Sequence, residues 1–110
     1  MNPRWSDWRF FPDPRKCGML IAPFGPGCYE LRIGKQLLLY GRSGHVARRL
    51  SSLLPKPIGC GTRRNAHKRA SVYENLGRVE YRTLACACVE EAVAEERRLR
   101  ARGMEYLHPS

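Results

Sequence analysis

Residues 28–40 hold a hairpin whose second strand has no polar face, and this limits the chain more than any other feature. Cys28-Tyr29-Glu30-Leu31-Arg32-Ile33 alternates, which puts Tyr29, Leu31 and Ile33 on one side of a strand. Gly34-Lys35 supplies a tight turn. Gln36 then leads into Leu37-Leu38-Leu39-Tyr40, apolar on both faces. A strand of that kind is normally covered on both sides, so helices must pack on each face of the sheet.

The rest of the chain supplies those helices. Ser43 or Gly44 begins the first, in which Val46, Leu50, Leu53 and Leu54 form one apolar stripe. Pro55 and Pro57 end it. Thr62 can cap a second, basic helix over 63–76, closed by Gly77. Residues 78–86 read as a third strand, and a last helix runs from about Val89 to Arg102 with Gly103 at its end. The expected fold is α+β: a small, three-stranded, mainly antiparallel sheet flanked by about three helices. With 110 residues there is room for one core only. The domain spans 27–110, preceded by an irregular arm, 1–26, rich in proline. Trp5, Trp8, Phe10 and Phe11 clamp the arm to the core or form part of an interface, and residues 20–22 add a short edge strand.

The net charge is +10, from 20 Lys and Arg against 10 Asp and Glu. Such an excess points to a polyanion, because each neutralised phosphate releases a counterion. Most of these cations are Arg, which suits bidentate phosphate contacts. No apolar run approaches the ~20 residues of a membrane span, and the N-terminus lacks the layout of a secretion signal. The five cysteines, an odd number, then imply reduced thiols and a cytoplasmic setting. Cys86 and Cys88 share a face of the third strand. With Cys60 and His67 they could hold zinc, but no CxxC pair is present, and buried free thiols are the commoner fate.

In the last helix Val89, Ala92, Val93 and Leu99 define the apolar face, and Glu96 falls near its centre. A carboxylate there is costly unless it is paired or holds a metal. Two readings stay open: a salt bridge to arginine, or a Mg²⁺ held by one carboxylate together with waters and phosphate oxygens.

Pro26-Gly27-Cys28-Tyr29, then Leu39-Tyr40-Gly41-Arg42-Ser43, then Arg49-Leu50, then Glu91-Ala92 ahead of Glu96 occur in that order. This series resembles the GIY-YIG nuclease family, and within it the N-terminal catalytic domain of the bacterial nucleotide-excision-repair endonuclease, over roughly residues 25–108. The resemblance implies phosphodiester hydrolysis with one divalent metal, Mg²⁺ or Mn²⁺. It makes Tyr29 the residue that activates the nucleophile, Arg49 the holder of the scissile phosphate and Glu96 the metal ligand. Arg42 takes the place of a basic residue after the second motif, and His108 falls near an asparagine of the last segment. One position departs: the second motif should begin with tyrosine, but Leu39 stands there and Tyr40 follows it. Alternate strand residues face opposite ways, so Tyr40 joins the site only if the register shifts.

The expected function is a metal-dependent endonuclease acting on nucleic acid, DNA in preference to RNA. Arg42, His45, Arg48 and His108, with Arg63, Arg64, Asn65, His67, Lys68 and Arg69 of the basic helix, are the candidate nucleic-acid contacts; that helix could equally be a solvated face. Targeting falls to this helix, the aromatic arm, a homodimer or a separate protein. The alternative is a catalytically impaired nucleic-acid-binding module of the same fold, which Leu39 favours. A third reading, a basic structural protein associated with the ribosome, fits poorly with ionic residues on apolar faces.

Overall fold

A computed structural model describes residues 5–13, 19–53 and 66–108. The elements in chain order are β1 (Arg9–Phe10), β2 (Gly27–Ile33), β3 (Gln36–Ser43), α1 (Val46–Ser51), α2 (Ala66–Glu74), β4 (Val79–Ala85) and α3 (Val89–Ala101). The fold is α+β as expected. The sheet, however, has four strands, in the order β1-β4-β2-β3, and every pairing is antiparallel. The extra strand comes from the arm. Arg9 and Phe10 pair with Tyr81 and Glu80 along the outer edge of β4. Ser6 N–H to the Thr83 carbonyl (2.8 Å) and Phe11 N–H to the Val79 carbonyl (2.8 Å) continue this pairing at both ends. Two residues beside prolines carry no readable alternation, so only the partner strand reveals them. Residues 20–22 form no strand. The backbone of Ile21 is held instead by the Tyr81 hydroxyl, which accepts from its N–H (3.0 Å) and donates to its carbonyl (2.9 Å).

The two-sided strand is covered as its composition requires. On one face, Tyr29, Leu31 and Leu39 pack with Val46, Leu50 and Leu53 from the first helical segment, with Val72 of α2, and with Phe11 and Tyr81. On the other, Cys28 and Leu84 pack against Ala92 of α3, with Trp5 and Cys86 beside them. Each fully buried leucine contributes roughly 1.5–3 kcal/mol. Gly34 closes the hairpin at φ 58°, a left-handed conformation open to glycine. Gly27 meets a different demand: a Cβ there would lie 2.1 Å from the Leu84 carbonyl oxygen, so β2 and β4 approach this closely only without a side chain.

Three expectations are corrected. Val89 is exposed, because it opens α3 beyond the end of the sheet, so it does not share the buried face of Ala92 and Leu99. β4 ends at Ala85, so Cys88 lies outside it; Cys88 is the exposed residue preceding α3, whereas Cys28 is buried and Cys86 intermediate. Phe10 points to solvent, while Phe11 fills the core edge-on to Tyr81 (ring centroids 5.7 Å). Leu54, Pro55, Pro57, Cys60, Thr62, Arg63, Arg64 and Asn65 lie outside the described residues, as does Cys17.

The arm and the C-terminal segment are fastened by charge as well as by apolar contact. Glu30 is wholly buried. Its carboxylate accepts from Arg82 (2.8 Å), Arg102 (2.8 Å) and the Tyr106 hydroxyl. The Arg82 guanidinium lies over the rings of Trp5 (4.6 Å) and Trp8 (4.9 Å), and Arg32 lies over Trp8 (4.0 Å). Leu107 and His108 donate backbone hydrogen bonds to the Leu37 and Leu38 carbonyls (3.1 and 2.8 Å), covering the free edge of β3. Among the described residues, no helix is long and apolar enough to cross a membrane.

Candidate active site

The site is built at the β3 edge of the sheet. Tyr29 and Gly41 are paired across β2 and β3. The Tyr29 ring lies directly over Gly41: a Cβ at Gly41 would stand 2.5 Å from its hydroxyl oxygen and 2.8 Å from Cζ. Glycine in the second motif is therefore the floor on which the phenol rests. Tyr29, Leu39, Leu53, Arg49, Ser52 and Lys68 line a small open cleft of about 30 Å³, room for one or two waters. Leu39 and Leu53 form apolar walls, and Arg49 and Lys68 bring positive charge.

Burial pushes the Tyr29 phenol above its ordinary value; Arg49 opposes the shift and the Glu96 carboxylate adds to it. Arg49 and Glu96 thus both act on the Tyr29 phenol, in opposite directions. Arg42 does not join the Tyr29 cleft: it pairs with Cys28 across the hairpin, on the face opposite Tyr29, and reaches Glu96 (3.4 Å). Tyr40 likewise pairs with Glu30 on that opposite face, where it is buried against Tyr106 (ring centroids 4.6 Å). The β-bulge between Leu31 and Arg32 lies before this pair and does not bring Tyr40 round. Leu39 fills the place beside Tyr29.

Glu96 faces inward on α3, with its side chain 17% exposed, and both open readings meet there. It forms loose ion pairs with Arg42 and, one helical turn on, with Arg100 (3.6 Å). Arg100 also hydrogen-bonds Tyr40. Sequence reasoning missed Arg100; its i+4 spacing from Glu96 was the available signal. Among the described residues, no three His, Cys, Asp or Glu side chains cluster as a metal cage. Glu96 does not line the cleft; it lies with Arg42 on the α3 side of the sheet, where a single carboxylate could hold a Mg²⁺ coordinated chiefly by water and phosphate oxygens.

The remaining candidates divide into scaffold and surface. His45 caps α1: its Nδ1 accepts from the Arg48 N–H (3.1 Å), while Ser43 Oγ accepts from the His45 N–H (3.0 Å). Arg48 is exposed beside it. His108 is pinned by Ser71, with Nε2 and Oγ 2.8 Å apart. Burial lowers its pKa, and Lys68 and His67 lower it further; of these three, Lys68 lines the cleft. Arg69 falls in α2, with its side chain outside the described set. No family model, curated protein or solved structure matches the chain. Its functional reading rests on the side chains above.

Proposed function

We propose that the chain is a metal-dependent endonuclease that hydrolyses phosphodiester bonds in nucleic acid, in DNA rather than RNA. The observation that carries this reading is the phenol of Tyr29, seated on Gly41 and opening into a cleft with Arg49 and Lys68, within the electrostatic reach of Glu96. Arg49 and Lys68 bind the phosphate and neutralise charge that grows in the transition state. Glu96 would hold the divalent cation, Mg²⁺ or Mn²⁺. When bound, that ion supplies Lewis-acid stabilisation of the leaving oxygen and further positive field.

Tyr29 with its raised pKa is protonated at neutral pH, so its hydroxyl first serves as a donor that orients the phosphate or the attacking water. To accept that water's proton it needs more positive charge than Arg49 supplies. Arg42 and Arg100 neutralise Glu96 in this structure, and their guanidinium groups are of the kind that also binds phosphate oxygens.

One observation favours a second reading, a catalytically impaired nucleic-acid-binding module. Leu39 occupies the cleft where a second hydroxyl would stand, and Tyr40 is committed to the other face. Nicking of supercoiled plasmid with Mg²⁺ or Mn²⁺ separates the two. The endonuclease nicks, and Tyr29→Phe and Glu96→Ala abolish nicking while DNA binding persists. Nicking retained in both variants refutes the site; binding without nicking by the unaltered protein supports the second reading.

A further inference from the structure

Phe24 is 84% exposed, the most solvent-exposed aromatic ring among the described residues. A single exposed apolar side chain is ordinary, but three features set this one apart. Its loop is fixed: the carbonyls on either side, Pro23 and Gly25, accept from Ala47 N–H (2.9 Å) and Val46 N–H (3.0 Å) at the start of α1. Its ring is backed by the His45 imidazole, with centroids 5.8 Å apart and planes 41° apart. That imidazole is itself held by the hydrogen bond from Arg48.

The surroundings are cationic. Arg48 and Arg49 follow His45 on the same short helix, and both are exposed. From His45 to the cleft arginine, Arg49, is four residues, roughly 6 Å along a helix axis. That is less than two 3.4 Å steps of one strand along a duplex. An aromatic face stacked on the capping residue of the helix that carries Arg49 matches a neighbouring nucleobase better than an apolar protein surface, which gains nothing from the guanidinium groups.

We infer that Phe24, backed by His45, is a stacking platform for a nucleobase beside the phosphate held at Arg49. The inference rests on the nucleic-acid reading of the cleft and names the part of the ligand that lies next to it. Base–aromatic stacking tolerates any sequence, because every base has a π-face. The platform would therefore orient a strand without selecting its bases, and it favours single-stranded or locally unpaired substrate.

The test uses the full chain in EDTA, so that nothing is cleaved, with single-stranded oligonucleotides carrying 2-aminopurine at successive positions. The unaltered protein should quench one position. Phe24→Ala should abolish that quenching and weaken binding by roughly 5- to 150-fold. The salt slope should stay unchanged, since no cation is removed. Phe24→Trp should restore both signals. Unchanged affinity in Phe24→Ala overturns the proposal, as does an equal loss on a strand made abasic at the quenched position. A Phe24-dependent dimer in sedimentation, without a binding defect, assigns the ring to a second copy and overturns it too. So does failure of the unaltered protein to bind any oligonucleotide. Cleavage is scored separately by plasmid nicking. A protein that binds and quenches but does not nick sustains the stacking site while sinking the endonuclease.

Discussion

Replacing Gly41 with alanine reads the geometry of the site through stability. Inside a strand, glycine is normally worse than alanine by roughly 0.5–1 kcal/mol, because it loses more backbone freedom on folding. With open space beside it, Gly41→Ala would therefore stabilise the protein. The structure reverses the sign. The new Cβ would lie 2.5 Å from the Tyr29 hydroxyl, whereas ordinary contact begins at 3.4 Å, so the oxygen must retreat by about 0.9 Å. Tyr29 is only 7% exposed and packed in the main core, and forcing such a group aside costs about 1–3 kcal/mol. The net expectation is a loss of up to roughly 2.5 kcal/mol after the backbone gain is set against it. Urea unfolding of the unaltered protein, Gly41→Ala, Tyr29→Leu and the double variant measures this directly. With the phenol removed, Gly41→Ala should become neutral or stabilising. A stabilising Gly41→Ala in the Tyr29 background would refute the claim that the ring rests on this glycine. If the protein nicks DNA, the displaced phenol should also cost up to about 100-fold in rate, the penalty of a 1 Å misplacement.

Two further outcomes follow from the charges. Glu30→Ala leaves two arginines without their buried partner and should cost about 3–5 kcal/mol in chemical unfolding. Burial alone would raise the Glu30 carboxyl, but hydrogen bonds from Tyr106, Arg82 and Arg102, with the Arg82 charge, hold it below the ordinary 4.5. A carboxyl depressed in the folded state contributes stability that is fully present above its unfolded pKa and is lost as pH falls through the folded one. Unfolding midpoints should therefore drop below about pH 4.5 in the unaltered protein, and Glu30→Ala should lose that part of the drop; identical acid profiles would refute the role. Since Arg49 lowers the Tyr29 phenol and Glu96 raises it, Arg49→Ala should move its pKa up and Glu96→Gln should move it down. Ultraviolet titration of tyrosinate, with the Tyr29→Phe trace subtracted, checks both directions; shifts of the opposite sign would remove the electrostatic link between the three residues.

Much of this molecule follows from short-range pattern. The two-sided apolar run in β3 requires cover on both faces, because a buried strand cannot leave either row of side chains in water, and α1 and α3 provide it. The period of two places Tyr29 and Leu39 together and sends Tyr40 to the other face, so it was legible from the residue order that Leu39, not Tyr40, stands beside Tyr29. The inward position of Glu96 followed from helical periodicity. Tertiary structure alone decided what these groups meet. Glu30 looked like one more residue in an alternating strand, yet its partners Arg82, Arg102 and Tyr106 stand 52, 72 and 76 residues away. The same holds for Arg42, which sits on the same face as α3 and pairs with Glu96, and for the arm residues that become β1 only by pairing with β4. Periodicity fixes which way a side chain points, because it depends on the local backbone. It carries no information on which distant element closes over that face, and that choice determined which cation acts on Tyr29.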